Sequence, residues 1–361
     1  MKSAVILFLM ALSVGCMAQN PLKPLNPDSV MLDDFFWVDM VDSATTLFPK
    51  MKPQSLEITP KDVKNLPKLQ ESFANLEPNL FLTGCERGKK NEVKRFKSAK
   101  DVVSKTFKLA LMMRDGKYFD YCEQALFNEI AGAWKDSASK TNKKDIAEVL
   151  ATIPQMVYAV DGKDVYINMI VRNRTHIVTE HLDMTIHTMA SMPWYGQCII
   201  SMDMEKEQEF TLYLRCPHWA DGKSVMSSFD ATAGSSKMDI YINGERPEKR
   251  IVNGYYVISR RWKNGDMMKL SFPYPIMRVQ DRQSPSRMAL QRGPLIYAFE
   301  ENLNVKGVDG ISNTFDGERE TIFLASKKYD EQGNATGQYK AFPYCLDKEK
   351  YYPLIFAKKL K

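Results

Sequence analysis

The sequence predicts an α+β, multidomain chain, helical in its first half and built as an antiparallel β-sandwich in its second. Three observations carry this reading. Apolar residues recur at helical spacing between residues 98 and 156. From Val157–Gly162 to Phe299 they alternate with period two, as half-buried strands do. Asn-Gly pairs at 243–244, 253–254 and 264–265 mark tight turns between those strands. The 361 residues suffice for two or three domains at about 100–200 residues each. An apolar content of 44% excludes a disordered chain.

Met1-Lys2 is a short basic start, and Ala4–Val14 is an apolar run of signal-peptide length, too short to span a bilayer. Small residues at Cys16 and Ala18 suit cleavage before Gln19. This predicts a signal peptide over 1–18 and a periplasmic or secreted mature protein. A lipid anchor at Cys16 is the rival reading, and Ser13-Val14-Gly15 fits a lipobox less well. No later stretch predicts a transmembrane segment. The net charge of +6 raises nucleic acid as a partner, and export argues against it. Much of the basic excess is local, at Lys89, Lys90, Lys94, Arg95, Lys97 and Lys100. It reads as a solvated face, or as a contact for an acidic glycan.

Prolines break residues 28–82 into short helical pieces. Over 98–135, Ser98 and Asp101 resemble a capping box, and Val102, Val103, Phe107, Ala110 and Met113 form a stripe. Asp115-Gly116 turns the chain, and Tyr118, Tyr121, Cys122, Ala125, Leu126 and Ile130 form a second stripe, so a helical hairpin is expected. A further helix covers 144–156, with Pro154 as a kink point. Residues 196–216 read as a β-hairpin turning at Glu207. Its buried face would hold Cys198, Ile200, Met202, Met204, Phe210, Leu212, Leu214 and Cys216. That register sets Cys198 opposite Cys216, as two small core residues or, in an exported protein, a disulfide. In MALQRGPLIYAFE, 288–300, Gly293-Pro294 interrupts a strand and predicts a bulge or a change of partner. The tail, 303–361, reads as a looped C-terminal segment.

The chemistry-bearing residues are sparse. Read as one strand, His181, Asp183, Thr185 and His187 share a face and His176 points away, with no third metal ligand nearby. His218 reads as a loop packing residue. Removing the leader leaves five cysteines, Cys85, Cys122, Cys198, Cys216 and Cys345, without a CxxC. No serine elbow, phosphate loop or zinc pattern is present.

In combination, the ordered motifs resemble a known family. MALQRGPLIYAFEE is similar to the QRGP signature of glycoside hydrolase family 127, the β-L-arabinofuranosidase-like family. Pro193-Trp194 with Gly196, EFTLYLRCPHWADG and NGYYVISRRWKNGDMMKLSFPYPIMRV resemble its sandwich segments in the same order. RDGKYFDYCEQALFNEI and DIAEVLATIPQMVYAV resemble its preceding helices. The resemblance spans residues 98–302. It implies the remnant of a six-hairpin α/α barrel at 19–160 and a β-sandwich at 161–302.

The family's catalytic apparatus is a zinc held by one Glu and three Cys, one Cys being the nucleophile. Zinc lowers a thiol's pKa and so supplies the thiolate. Counted without gaps, the family's Glu falls at Arg95 and its first Cys at Lys97. The adjacent cysteines fall at Thr141 and Asn142, and the proline pair at Lys143 and Lys144. Cationic side chains repel zinc, so no catalytic or metal residues are assigned, and zinc is not expected as a cofactor. The stretch from Asp33–Trp37 to residue 98 is also too short for the remaining hairpins, at about 11–12 residues per helix plus loops.

Three functional readings follow. The first is a non-catalytic pseudoenzyme that binds a glycan, with Trp194, Trp219 and Trp262 as stacking candidates or core residues, or binds a partner protein through an exposed helical remnant. The second is an active hydrolase with a site rewired from Cys85-Glu86, Asp120 and Glu123, with zinc on Cys85 and Cys122. The third is a decaying fragment that binds nothing. QRGP is expected to join parts of the fold rather than to contact sugar.

Overall fold

The computed structural model describes residues 20–74, 99–135, 142–221, 229–232, 238–281, 287–299, 311–316, 321–329, 332–346 and 355–356. The signal peptide, Cys16, Ser98, Cys85-Glu86 and the basic run from Lys89 to Lys97 lie outside these residues.

The described chain is a mixed α+β structure dominated by sheets. Its helices are α1 (Val38–Leu47), α2 (Pro60–Lys64), α3 (Leu66–Ala74), α4 (Ala99–Met113), α5 (Gly116–Gln124), α6 (Ala131–Lys135) and α7 (Lys143–Val157). The expected helical hairpin is present. The Asp115 side chain accepts from the Lys117 N–H and caps α5, satisfying a donor that the first turn leaves open. A π-helical turn, Ala125–Ile130, joins α5 to α6, and both stripes are buried apart from the partly buried Met113. In α7, Pro154 lies inside the helix. Lys100 bridges Asp145 (3.1 Å) and Glu148, tying α4 to α7.

Two six-stranded sheets share one buried core with these helices. The first runs 23–24, 158–161, 164–167, 208–215, 255–262, 251–252. It is antiparallel except where 164–167 lies parallel to 208–215. The second runs 239–242, 267–271, 197–203, 183–190, 173–178, 30–32. Tyr158 links the two: its hydroxyl donates to Asn173 Oδ1 at 3.1 Å and lies 3.0 Å from Thr188 Oγ1.

The 196–216 hairpin is corrected. Cys198, Ile200 and Met202 are buried in the second sheet, and Phe210, Leu212 and Leu214 in the first. The predicted inward face holds for these residues, but 204–207 carries the chain from one sheet to the other. Either arrangement buries the same alternating face, so alternation could not choose between them. Cys198 and Cys216 therefore do not pair, and both are free thiols.

The single strand drawn through the histidines is also corrected. Thr179 Oγ1 accepts from the N–H groups of His181 and Leu182, closing a turn between 173–178 and 183–190. This brings His176 to Asp183 (2.9 Å) instead of pointing it away, and His187 pairs with Asp203 (2.8 Å).

The strands 276–281, 287–292 and 295–299, expected in the sandwich, belong to a third sheet. Its order is 312–316, 321–329, 335–343, 295–299, 287–292, 276–281, 229–232, with 355–356 beside 287–292. The tail expected as loops supplies four of these strands. Gly293-Pro294 is the turn of the 287–299 hairpin rather than a bulge, with Arg292 opposite Leu295 and Gly293 at φ 59°.

Candidate functional site

The richest cluster of ionisable groups lies where α5 meets the end of the 208–215 strand. Gly116 opens the helix against the Asn253-Gly254 turn, its N–H donating to the Asn253 carbonyl at 2.8 Å. A Cβ on Gly116 would stand 3.2 Å from the Gly254 carbonyl oxygen, a tight contact that would make the neighbouring backbone give by a few tenths of an ångström. One turn further along, Asp120 and Glu123 share the helix face that meets Arg215.

Arg215 is fully buried, and each arm of its guanidinium is engaged. Nη1 donates to Asp120 and Nη2 to Glu123. Nε donates to the Asn168 carbonyl at 2.6 Å, and the Phe119 ring lies 4.7 Å from the guanidinium carbon. The second oxygens of both carboxylates are also held. Trp219 Nε1 donates to Glu123 at 2.9 Å, and His218 Nδ1 contacts Asp120. Tyr255 Oη donates to Asn168 Oδ1 at 2.7 Å. Burial pushes the Glu123 carboxyl up, against the pull of Arg215. Burial likewise opposes the charge on Arg215, but Glu123 and Asp120 hold its pKa above the ordinary value.

This arrangement anchors α5 to the sheet. A general acid or base needs an open side toward substrate, and Asp120 and Glu123 point at Arg215, His218 and Trp219. Cys122 is sealed beside them, with burial pushing its thiol up, so it supplies no thiolate. Cys85 and Glu86 lie outside the described residues.

A second junction surrounds QRGP. Asn128 Nδ2 donates to the Pro294 carbonyl at 2.9 Å, and its Oδ1 accepts from the Ile296 N–H at 2.8 Å. Buried Arg292 donates to the Trp194 carbonyl at 2.7 Å and lies 5.0 Å from the Tyr274 ring. The turn thus binds the third sheet to the helices and to the segment before the 197–203 strand.

Of the positions matching the family's zinc site, Arg95, Lys97 and Thr141 lie outside the described residues. Asn142 Oδ1 accepts from the Lys144 N–H and caps α7. Lys143 Nζ donates to the carbonyls of Ala133 (2.7 Å) and Trp134 (2.6 Å), neutralising the end of α6. Among the described residues, no three His, Cys, Asp or Glu gather as metal ligands. Of the stacking candidates, Trp219 and Trp262 are fully buried in the core, and Trp194 is partly buried.

Two clefts are lined by described residues. One, of 850 Å³, lies between the 20–24 segment and the turns at Gly162 and Glu180. The other, of 600 Å³, follows the 257–261 stretch of the edge strand. Alternation along residues 208–216 puts Arg215 on the outward face with Thr211, yet Arg215 is fully buried, and neither Asn168 nor the Gly116–Gly254 contact carries a sequence signal. The signal available for Arg215 was an arginine closing the apolar run LYLRC, where a buried strand end needs a counter-charge.

Residues 164–274 match the family profile of the GH127 β-L-arabinofuranosidase middle domain. No curated protein sequence matches the chain. Among solved structures, a GH127 β-arabinofuranosidase superposes with a TM-score of 0.59 at 21% identity, covering 72% of this chain and 48% of its own. The GH127 β-L-arabinofuranosidase of Geobacillus stearothermophilus T6 gives 0.58 at 20% identity, over 73% of this chain and 49% of its own. A further glycoside hydrolase gives 0.53 at 14% identity, over 71% and 51%. The chain spans about half the length of these relatives. In sequence over 164–274 and in fold beyond it, this chain is GH127-like.

Proposed function

We propose that this protein is an exported, non-catalytic relative of the β-L-arabinofuranosidases that binds glycan. In this reading the two six-stranded sheets form the expected sandwich, and the helices are what stands in place of an α/α barrel. The observation that carries it is the saturation of Asp120 and Glu123 by Arg215, His218 and Trp219. These are the described carboxylates that the rewired-hydrolase reading requires. Lys143, matched to the proline pair that follows the family's cysteines, is committed to a helix end.

A partner protein is the second reading. It is favoured by Phe35, Leu47 and Val63, which stand exposed on or next to α1 and α2.

The test is a glycan array and a hydrolysis screen on the mature chain, with and without zinc. Binding without release of sugar is expected. Zinc-dependent release of arabinose overturns the non-catalytic reading, and binding to no glycan overturns the binding reading.

A further inference from the structure

The 600 Å³ groove lies along the outer edge of the first sheet. Its floor includes Ile242, Val257 and Ile258, and its rim carries Arg246, Arg250, Arg260 and Arg261. Two of these guanidiniums are partly committed. Arg246 pairs with Asp239 at 3.1 Å and binds the Tyr241 hydroxyl. Arg260 lies 5.2 Å from the Trp262 ring and 3.9 Å from Asp266. Among the described residues Arg250 and Arg261 make no ion pair, and both stand exposed.

The backbone adds donors. The 255–262 strand pairs with 208–215 on one side and with 251–252 only at Tyr255 and Tyr256 on the other. The last bond on that open side runs from the Val257 N–H to the Arg250 carbonyl, at 2.8 Å. Alternation along an antiparallel strand then puts the N–H and C=O groups of Ser259 and Arg261 on the same open edge. Among the described residues no strand pairs with them there.

The groove also carries acceptors. Glu245 and Glu248 line it beside the arginines, and the Ser259 carbonyl faces the same edge, while that of Arg261 accepts from Arg260 Nε at 3.4 Å. A phosphodiester backbone offers no donors of its own to such groups. A saccharide bearing a carboxylate offers both: its carboxylate matches the planar fork of a guanidinium, and its hydroxyls donate to carboxylate and carbonyl oxygens.

We propose that this groove binds a uronate-bearing oligosaccharide, with Arg250 and Arg261 holding carboxylates and Glu245 and Glu248 accepting from ring hydroxyls. The inference rests on the glycan-binding reading above and names the ligand's class.

Calorimetric titration of the full mature chain tests it, with tri-galacturonate, its fully methyl-esterified form, a neutral arabino-oligosaccharide and single-stranded DNA as probes. Tri-galacturonate is expected to bind, and its methyl ester at least about tenfold more weakly, the scale of a lost charged hydrogen bond. R250Q/R261Q is expected to weaken the acid form about as much, and E245Q/E248Q to weaken it while leaving the melting temperature unchanged. Equal binding of acid and ester, or indifference to R250Q/R261Q, overturns the proposal. DNA bound as tightly, through the same arginines, also overturns it by making the groove a general polyanion surface. Binding of the neutral oligosaccharide alone overturns this inference and leaves the glycan-binding reading standing; binding of none overturns both.

Discussion

Asn128 clasps Pro294: its side-chain amide donates to the Pro294 carbonyl at 2.9 Å and accepts the Ile296 N–H two residues later at 2.8 Å. One buried amide therefore satisfies a carbonyl of the turn and an N–H of the strand that follows it, across 166 residues of chain. N128A strips both partners at once. It is expected to cost about 2 kcal/mol, since an unsatisfied buried polar group carries its desolvation penalty. A fall in the urea midpoint, with glycan binding retained, checks this.

R215M leaves two buried carboxylates facing each other without a counter-charge. Breaking such a cluster is expected to cost about 3–5 kcal/mol. In the triple variant R215M/D120N/E123Q, the neutral amides are expected to recover a large part of that loss. Denaturant unfolding of the two variants side by side measures the recovery. Equal instability would mean that Arg215 acts through its packing on Phe119 rather than its charge.

Gly293 sits at φ 59°, and a Cβ there would lie 2.3 Å from the Tyr274 ring. G293A therefore meets a backbone penalty and an overpacked neighbour together. The expected cost is about 1–3 kcal/mol from overpacking, read as a lowered thermal midpoint, and Y274A in the same background is expected to relieve part of it.

Asp62 closes a capping box with Thr59 and accepts from Lys108 Nζ at 3.0 Å. Partial burial works against its charge, but the hydrogen bonds from Thr59 and Lys108 hold its carboxyl below the ordinary value. A depressed carboxylate stabilises the fold above its unfolded pKa of about 3.9 and loses that contribution as pH falls through the folded value. D62N is expected to cost about 1 kcal/mol at neutral pH, the scale of a helix cap. It should also flatten the acid limb of a stability profile taken from pH 7 to pH 2.5.

Cys122 and Cys198 are buried, with burial raising both thiols, and burial pushes Cys216 up to about 12. Thiolate is the reactive form, so all three are expected to resist iodoacetamide at pH 8 in the native protein and to react in guanidinium. Peptide mass mapping checks each site, and a Cys198–Cys216 disulfide in the native protein would contradict the separation of their strands.

Much of the fold was legible because periodicity reports burial. The stripe Tyr118–Ile130 marked the inner face of α5 and the turn after it. Cys198–Met202 and Phe210–Leu214 were recognised as inward-facing. The Asn253-Gly254 turn was legible because φ values of 49° and 77° favour those two residues. Pairing was less legible. Residues 197–203 and 208–215 look like one hairpin, and His176 looks like part of one strand with His187, because alternation is the same for every partner that buries the same face.

The candidate site divides the same way. By itself the sequence determined the helical hairpin after residue 98, the strands between residues 158 and 299, and most of their inward faces. These follow from local spacing and residue chemistry. Only the tertiary structure decided that Asp120 and Glu123 are spent on Arg215, that Asn128 receives the QRGP turn, and that Arg250 and Arg261 face an open strand edge. Each depends on residues far apart in the chain meeting across sheets, and the free energy of that meeting comes from packing and desolvation, which no local pattern records.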